Sequence, residues 1–164
     1  MISLWFGLIA TGLAVLQTTW LSGFHLAGFS PDLVLLVLLF SAHHQGVQRG
    51  QITGFLTGFA EDALGASPPG FSAIIRLSHS AVAGLTQGAI SGDAFIMPML
   101  LATLAFGVKT GTTLLLGVIL RLDHVAPRVF SWATLTEALL TVVFAPTVFM
   151  ILRRVLARLS PRSG

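Results

Sequence analysis

The sequence predicts an all-α integral membrane protein, a compact bundle of about six transmembrane helices, some short or broken. Composition is the first observation behind this. Of 164 residues, 54% are hydrophobic and 9% charged, whereas soluble domains carry about 25% charged residues. Mean hydropathy is +0.89. The second is the recurrence of apolar runs between turn residues. The third is the company kept by the few charges inside those runs. Gly50, Gly54, Gly58 and Asp62 recur every four residues on one stretch, and small residues at that spacing let another helix approach closely. One membrane domain over 1–164 is the organisation this length allows.

The expected helices are 2–21, 31–44, 50–65, 71–90, 95–120 and 130–152, followed by a basic tail over 153–164. The first is long enough to span and ends in Trp20, an interface residue. It lacks a basic n-region and a small-residue cleavage site, so it reads as a retained helix. Ser30-Pro31-Asp32 opens the second: Ser30 caps, Pro31 takes the first helical position, and Asp32 suits the helix N-terminus. The apolar bodies of the second and third, 33–42 and 52–64, are short for spanning helices. They fit inside a bundle, where protein surrounds their ends. Gly84, Gly88 and Gly92 form a second ridge at the fourth helix. Lys109 interrupts the fifth. Glu137 lies in the outer half of the sixth, and Pro146 suggests a kink.

Six spans put both termini on one side. Arg49, Arg153, Arg154, Arg158 and Arg162 then lie together, and basic residues favour the cytoplasm. Arg121 and Arg128 fall outside, with Arg76 snorkelling near the outer end of the fourth helix. A five-span arrangement with a re-entrant hairpin stays open.

The intramembrane charges mark the candidate site. An ionised group at membrane depth costs at least about 2.5 kcal/mol, so it needs a partner or a polar cavity. Lys109 is expected to pair with Glu61, Asp62 or Glu137, either as an ion pair fixing helix register or as part of an ion pathway. Asp62 is expected at the turn into the fourth helix, accepting hydrogen bonds from backbone groups around Ser67, Pro68 and Gly70. Glu61, about 100° around the helix, should point elsewhere, with Lys109 or a partner protein as its counterpart.

Other chemistry finds little support. There are no cysteines, which excludes disulfides, thiolate metal sites and cysteine nucleophiles. His43 and His44 are adjacent and diverge on a helix, and no zinc motif appears. No Gly-x-Ser-x-Gly elbow, phosphate-cradling loop or aromatic-basic patch is present. The isoelectric point near 11.2 reflects the arginine-rich end rather than nucleic-acid binding. No catalytic residue, cofactor or metal is expected.

Three stretches resemble the MreD family of bacterial rod-shape proteins. They are the Pro31-led leucine-rich helix over 30–39, the glycine-rich helix with its acid and Pro-Pro-Gly turn over 53–70, and the Pro146 helix running into arginines over 145–154. The middle stretch is the specific one. Gly65-Ala66 replaces the usual Ser-Gly, and Glu61 adds an acid beside the matching Asp62.

The resemblance implies a non-enzymatic subunit of the cytoplasmic membrane, associated with the single-pass MreC. The actin-like MreB, a RodA-type glycan polymerase and a class B penicillin-binding transpeptidase belong to the same machinery. It also implies a fold like the substrate-binding subunits of energy-coupling-factor transporters. That likeness makes a vitamin-like solute-binding subunit the alternative reading.

Overall fold

The computed structural model describes residues 12, 31–64, 68–87, 95–123 and 125–159. Among them are six helices and no strand: α1 (Leu33–Gln45), α2 (Val47–Leu64), α3 (Phe71–Leu85), α4 (Ile96–Ile119), α5 (Val125–Val129) and α6 (Trp132–Leu159). The expected first helix apart from residue 12, the cap at Ser30, the turn residue Ser67, and Gly88 and Gly92 lie outside the described residues.

The leucine-rich α1 is the axis of the bundle. Nine consecutive residues, Val34 to Ala42, are buried, so no side of this helix faces out. A helix that is apolar all round can be stable only when surrounded, and α2, α3, α4 and α6 all pack against it. Its 13 residues span about 20 Å at 1.5 Å each, less than the ~30 Å hydrocarbon core. An enclosed helix has no need to reach both interfaces. Phe40 meets Phe149 of α6 edge-on at 5.3 Å, and Leu101, Ala102 and Ala105 of α4 complete the core.

The outer helices carry the opposite pattern. Ile96–Ile119 and Trp132–Arg158 are long and apolar enough to cross a membrane. They leave Leu104, Leu115, Leu139 and Val143 exposed. Apolar side chains on the outside of such long helices are suited to lipid.

Close backbone contact joins α2 to α3, and it fixes their antiparallel order. A Cβ built on Gly58 would lie 2.5 Å from Ala73 Cα, one on Gly54 2.7 Å from Arg76 O, and one on Gly50 2.5 Å from Ala42 Cβ. The glycine ridge is therefore spent inside the bundle, on α3 and the end of α1. Gly84 of α3 likewise lies against Val47, where a Cβ would come within 2.5 Å of Cα.

Several boundaries differ from expectation. Asp32, not Ser30, caps α1 among the described residues, and Pro31 stands before that cap rather than inside the helix. The third expected helix starts earlier, at Val47, because Gly46 alone links it to α1. Gly46 has φ 85°, a left-handed conformation that glycine adopts freely. Helix α3 stops at Leu85, where Thr86 Oγ1 donates to Ala83 O at 2.6 Å. The unforeseen α5 follows a Schellman ending of α4, with Leu122 N donating to Gly117 O and Arg121 N to Val118 O. Arg121 takes φ 52° there. The expected tail from 153 is helical as far as Leu159, since α6 continues through the buried Pro146.

Gly58→Leu should abolish recovery of monodisperse protein in detergent, because the new side chain meets α3 backbone. Gly111→Leu should be tolerated, since among the described residues nothing lies within 4 Å of its Cβ position. Size-exclusion chromatography with thermal unfolding checks this, and equal behaviour of the two variants would remove the ridge from the packing.

A buried ion network as the candidate functional site

At one end of the bundle, charges from five helices converge on Asp32. The local reason is a helix cap. Asp32 Oδ1 accepts from Leu35 N at 2.9 Å, the usual duty of an N-cap carboxylate. The capping position brings the acid to the start of the most buried helix, and its side chain is only 6% exposed. A carboxylate there needs cations, and two helices supply them. Arg76 of α3 places Nη1 3.2 Å from both oxygens, and Lys109 of α4 places Nζ 2.7 Å from Oδ2. The backbone of Asp32 is held too: its N donates to Thr141 Oγ1 of α6 at 2.9 Å. Thr141 Oγ1 in turn donates to the backbone carbonyl oxygen of Glu137 at 2.7 Å.

Each cation then reaches a second acid. Arg76 donates through Nε and Nη2 to the two oxygens of Glu61 on α2, at 2.9 and 2.6 Å. This two-pronged geometry suits the planar guanidinium. Lys109 Nζ also donates to Glu137 Oε1 on α6 at 2.6 Å. The order is Glu61–Arg76–Asp32–Lys109–Glu137, three carboxylates against two cations, with the positive N-terminal end of α1 facing Asp32. Exposure rises from the centre towards the Glu137 end, where Lys109 and Glu137 side chains are 23% and 32% exposed. The middle is dry and the Lys109 side is wetter.

Asp62 forms a separate centre. Gly70 N donates to its Oδ2 at 2.9 Å, Ser72 N to Oδ1 at 2.9 Å, and Ala73 N to Oδ2 at 3.2 Å. The carboxylate thus ties the end of α2 to the first turn of α3, whose backbone N–H groups lack helical partners. Gly70 precedes α3 with φ 88°, and Phe71 N returns to Pro68 O at 3.0 Å.

Two sequence expectations change. Glu61 pairs with Arg76, not Lys109, because both lie on the tightly packed α2–α3 pair. Arg76 is buried at 9% rather than snorkelling, since two acids compensate it within the protein. Of the acids named for Lys109, Glu137 is the one it meets. Its other partner, Asp32, was read only as a helix-start residue. The Asp62 turn is as expected in kind, though its donors extend to Ser72 and Ala73. Pro31 adjoins the network through Asp32, while Gly50 and Pro146 lie away from it. His79, one turn after Arg76, is fully buried, with neither ring nitrogen hydrogen-bonded among the described residues.

Among the described residues no group of three or more His, Cys, Asp or Glu is placed to hold a metal. The most buried ionised side chains, Asp32, Arg76 and Glu61, are paired with one another. What the network does is set the relative depth and rotation of α1, α2, α3, α4 and α6.

An all-helical bundle with long apolar outer helices and a paired charge centre is the build of a small membrane-embedded subunit. The chain belongs to the MreD family: the family model for rod shape-determining protein MreD matches residues 1–155. This is a membrane-protein family of the cell-shape machinery. No curated protein and no solved structure matches the chain.

Asp32→Asn should destabilise the protein by about 3–5 kcal/mol, the range for breaking a buried ion pair. Glu137→Gln, at the wetter end, should cost about 1 kcal/mol or less. A double-mutant cycle of unfolding should show coupling between Glu61 and Arg76 and near-additivity between Glu61 and Lys109. The reverse pattern would overturn the pairing. Asp62→Ala should cost about 1–3 kcal/mol, because three backbone donors lose their acceptor. Unchanged stability in the same assay would mean that the turn holds without it.

Proposed function

We propose that this protein is a multi-pass subunit of the bacterial cytoplasmic membrane that binds an MreC-like single-pass protein and helps organise peptidoglycan synthesis and rod shape. The family match over residues 1–155 carries the reading. The machinery it serves contains the actin-like MreB, a RodA-type glycan polymerase and a class B penicillin-binding transpeptidase. Its role is that of a scaffold without catalysis. A bundle whose most buried charges pair with one another supports this, because rigid, pre-organised surfaces suit partner docking.

The proposed topology is six spans in one membrane domain, with both termini cytoplasmic. Its support is charge segregation between the two ends. His43–Thr86, Ala42–Gly50 and Phe40–Phe149 contacts put the C-terminal ends of α1, α3 and α6 beside the start of α2. That end carries Arg49, Arg153, Arg154 and Arg158 and no described carboxylate, while Asp32, Glu61, Asp62, Asp123 and Glu137 belong to the other end together with Arg76, Lys109, Arg121 and Arg128. Basic residues favour the cytoplasmic face. Helices α1, α2, α3, α4 and α6 would supply five crossings and the apolar stretch 2–21 the sixth, a compact form like that of the energy-coupling-factor substrate-binding subunits. The solute-binding alternative gains less support, because the buried ionic groups are already paired.

Affinity purification of the tagged chain from native membrane should recover the MreC-type partner. Recovery of an ATPase module and a bound vitamin instead would favour the alternative. Reporter fusions should place Gly28 outside and Gly92 and Gly164 inside, and an external Gly164 would reverse the orientation.

A further inference from the structure

Beside the Lys109 end of the network lies a cavity of about 790 Å³, bounded by α3, α4, α5 and α6. Its size falls within the range of small-molecule sites, which combine apolar walls with a few placed polar groups. Phe71, Phe106 and Val125 contribute apolar wall, and Lys109, Arg128 and Glu137 are its charged members. The hydrogen bonding of those three is unequal. Lys109 has three N–H donors, of which Asp32 and Glu137 take two. Glu137 uses Oε1 for Lys109, while Oε2 has no partner among the described residues. Arg128, exposed on the short α5, forms no ion pair among the described residues.

The cavity therefore offers unused cationic donors and one unused carboxylate oxygen on a largely apolar wall. The network holds three carboxylates against two cations, so a purely anionic head would leave its surplus negative charge at Glu137 unmatched, and a purely cationic head would leave Arg128 unmatched. A head carrying both charges satisfies both. We propose that this cavity holds a membrane amphiphile whose head joins a phosphate to a primary ammonium, the phosphate on Arg128 and the ammonium on Glu137 Oε2. The position fits such a ligand. Arg128 follows the long apolar α4 at the end where the described carboxylates gather, the level at which lipid head groups meet protein. A primary ammonium donates N–H bonds to a carboxylate, and a quaternary one has none to give.

The test is thermal unfolding of the full chain in neutral maltoside detergent, titrated with short-chain diacyl phosphoethanolamine. Diacyl phosphocholine and diacyl phosphatidic acid serve as comparison probes. The phosphoethanolamine should stabilise the protein with an apparent affinity about tenfold above either of the others. Arg128→Gln, whose exposed side chain can be replaced without unfolding the bundle, should remove most of the response. Glu137→Gln should keep a response to phosphate but erase the preference for the primary ammonium. Arg153→Gln, at the opposite end, should change nothing. Equal responses to the three lipids, a response surviving intact in Arg128→Gln, or no response would each overturn the proposal. Because the purified chain is used alone, failure here leaves the MreC-partner reading standing.

Discussion

The rest of the structure depends on the burial of one carboxylate, Asp32. Its two oxygens accept from a helix-capping N–H, from Arg76 and from Lys109. Left unpaired in a low-dielectric interior, such a charge is strongly unfavourable. The surrounding helices must therefore sit at the depth and rotation that deliver those cations. Hydrophobic packing brings helices together but specifies their register poorly in lipid, where sliding one helix past another loses little. A buried charge with fixed partners specifies it well, the role best attested for buried polar groups.

That constraint explains how an irregular set of helices forms one body. Helix α1 is short and enclosed, whereas α4 and α6 are long and apolar enough to cross a membrane. The glycines of α2 remove side chains where α3 approaches, which brings Glu61 within reach of Arg76. Asp62 closes the same hairpin at its turn. Packing and electrostatics reinforce each other, so the α2–α3 pair is both the closest contact and an anchor of the network.

Much of this was legible in the sequence, for identifiable reasons. Helical class and the approximate bounds of α1, α2 and α4 follow from composition and run length. The ridge of Gly50, Gly54 and Gly58 has a spacing that only close packing explains, although spacing alone leaves its partner open. Lys109 announces itself by cost and Asp62 by the turn that follows it. The centre of the network was hidden for a physical reason. Asp32 has a sufficient local role as a cap, and Arg76 has a sufficient local role as a snorkelling residue. Neither shows in sequence that it meets the other across 44 positions. A signal was available: an arginine six residues past the Pro-Pro-Gly turn, inside an apolar helix, is as expensive as Lys109 and needs an acid in the same way. Helix α5 was missed because its five residues are too few for any periodicity to register.

For a member of a rod shape-determining family, a fixed internal register means that the outer faces of the bundle are fixed as well. The measurement that tests this most directly is hydrogen–deuterium exchange of the Asp32→Asn protein against the unaltered chain, in detergent. Exchange should rise in residues 71–80, 106–119 and 132–141, around the network, while 97–102 and 149–156 at the far end stay protected. An unchanged pattern, or a uniform rise along every helix, would contradict the claim that Asp32 sets the register of this end of the bundle.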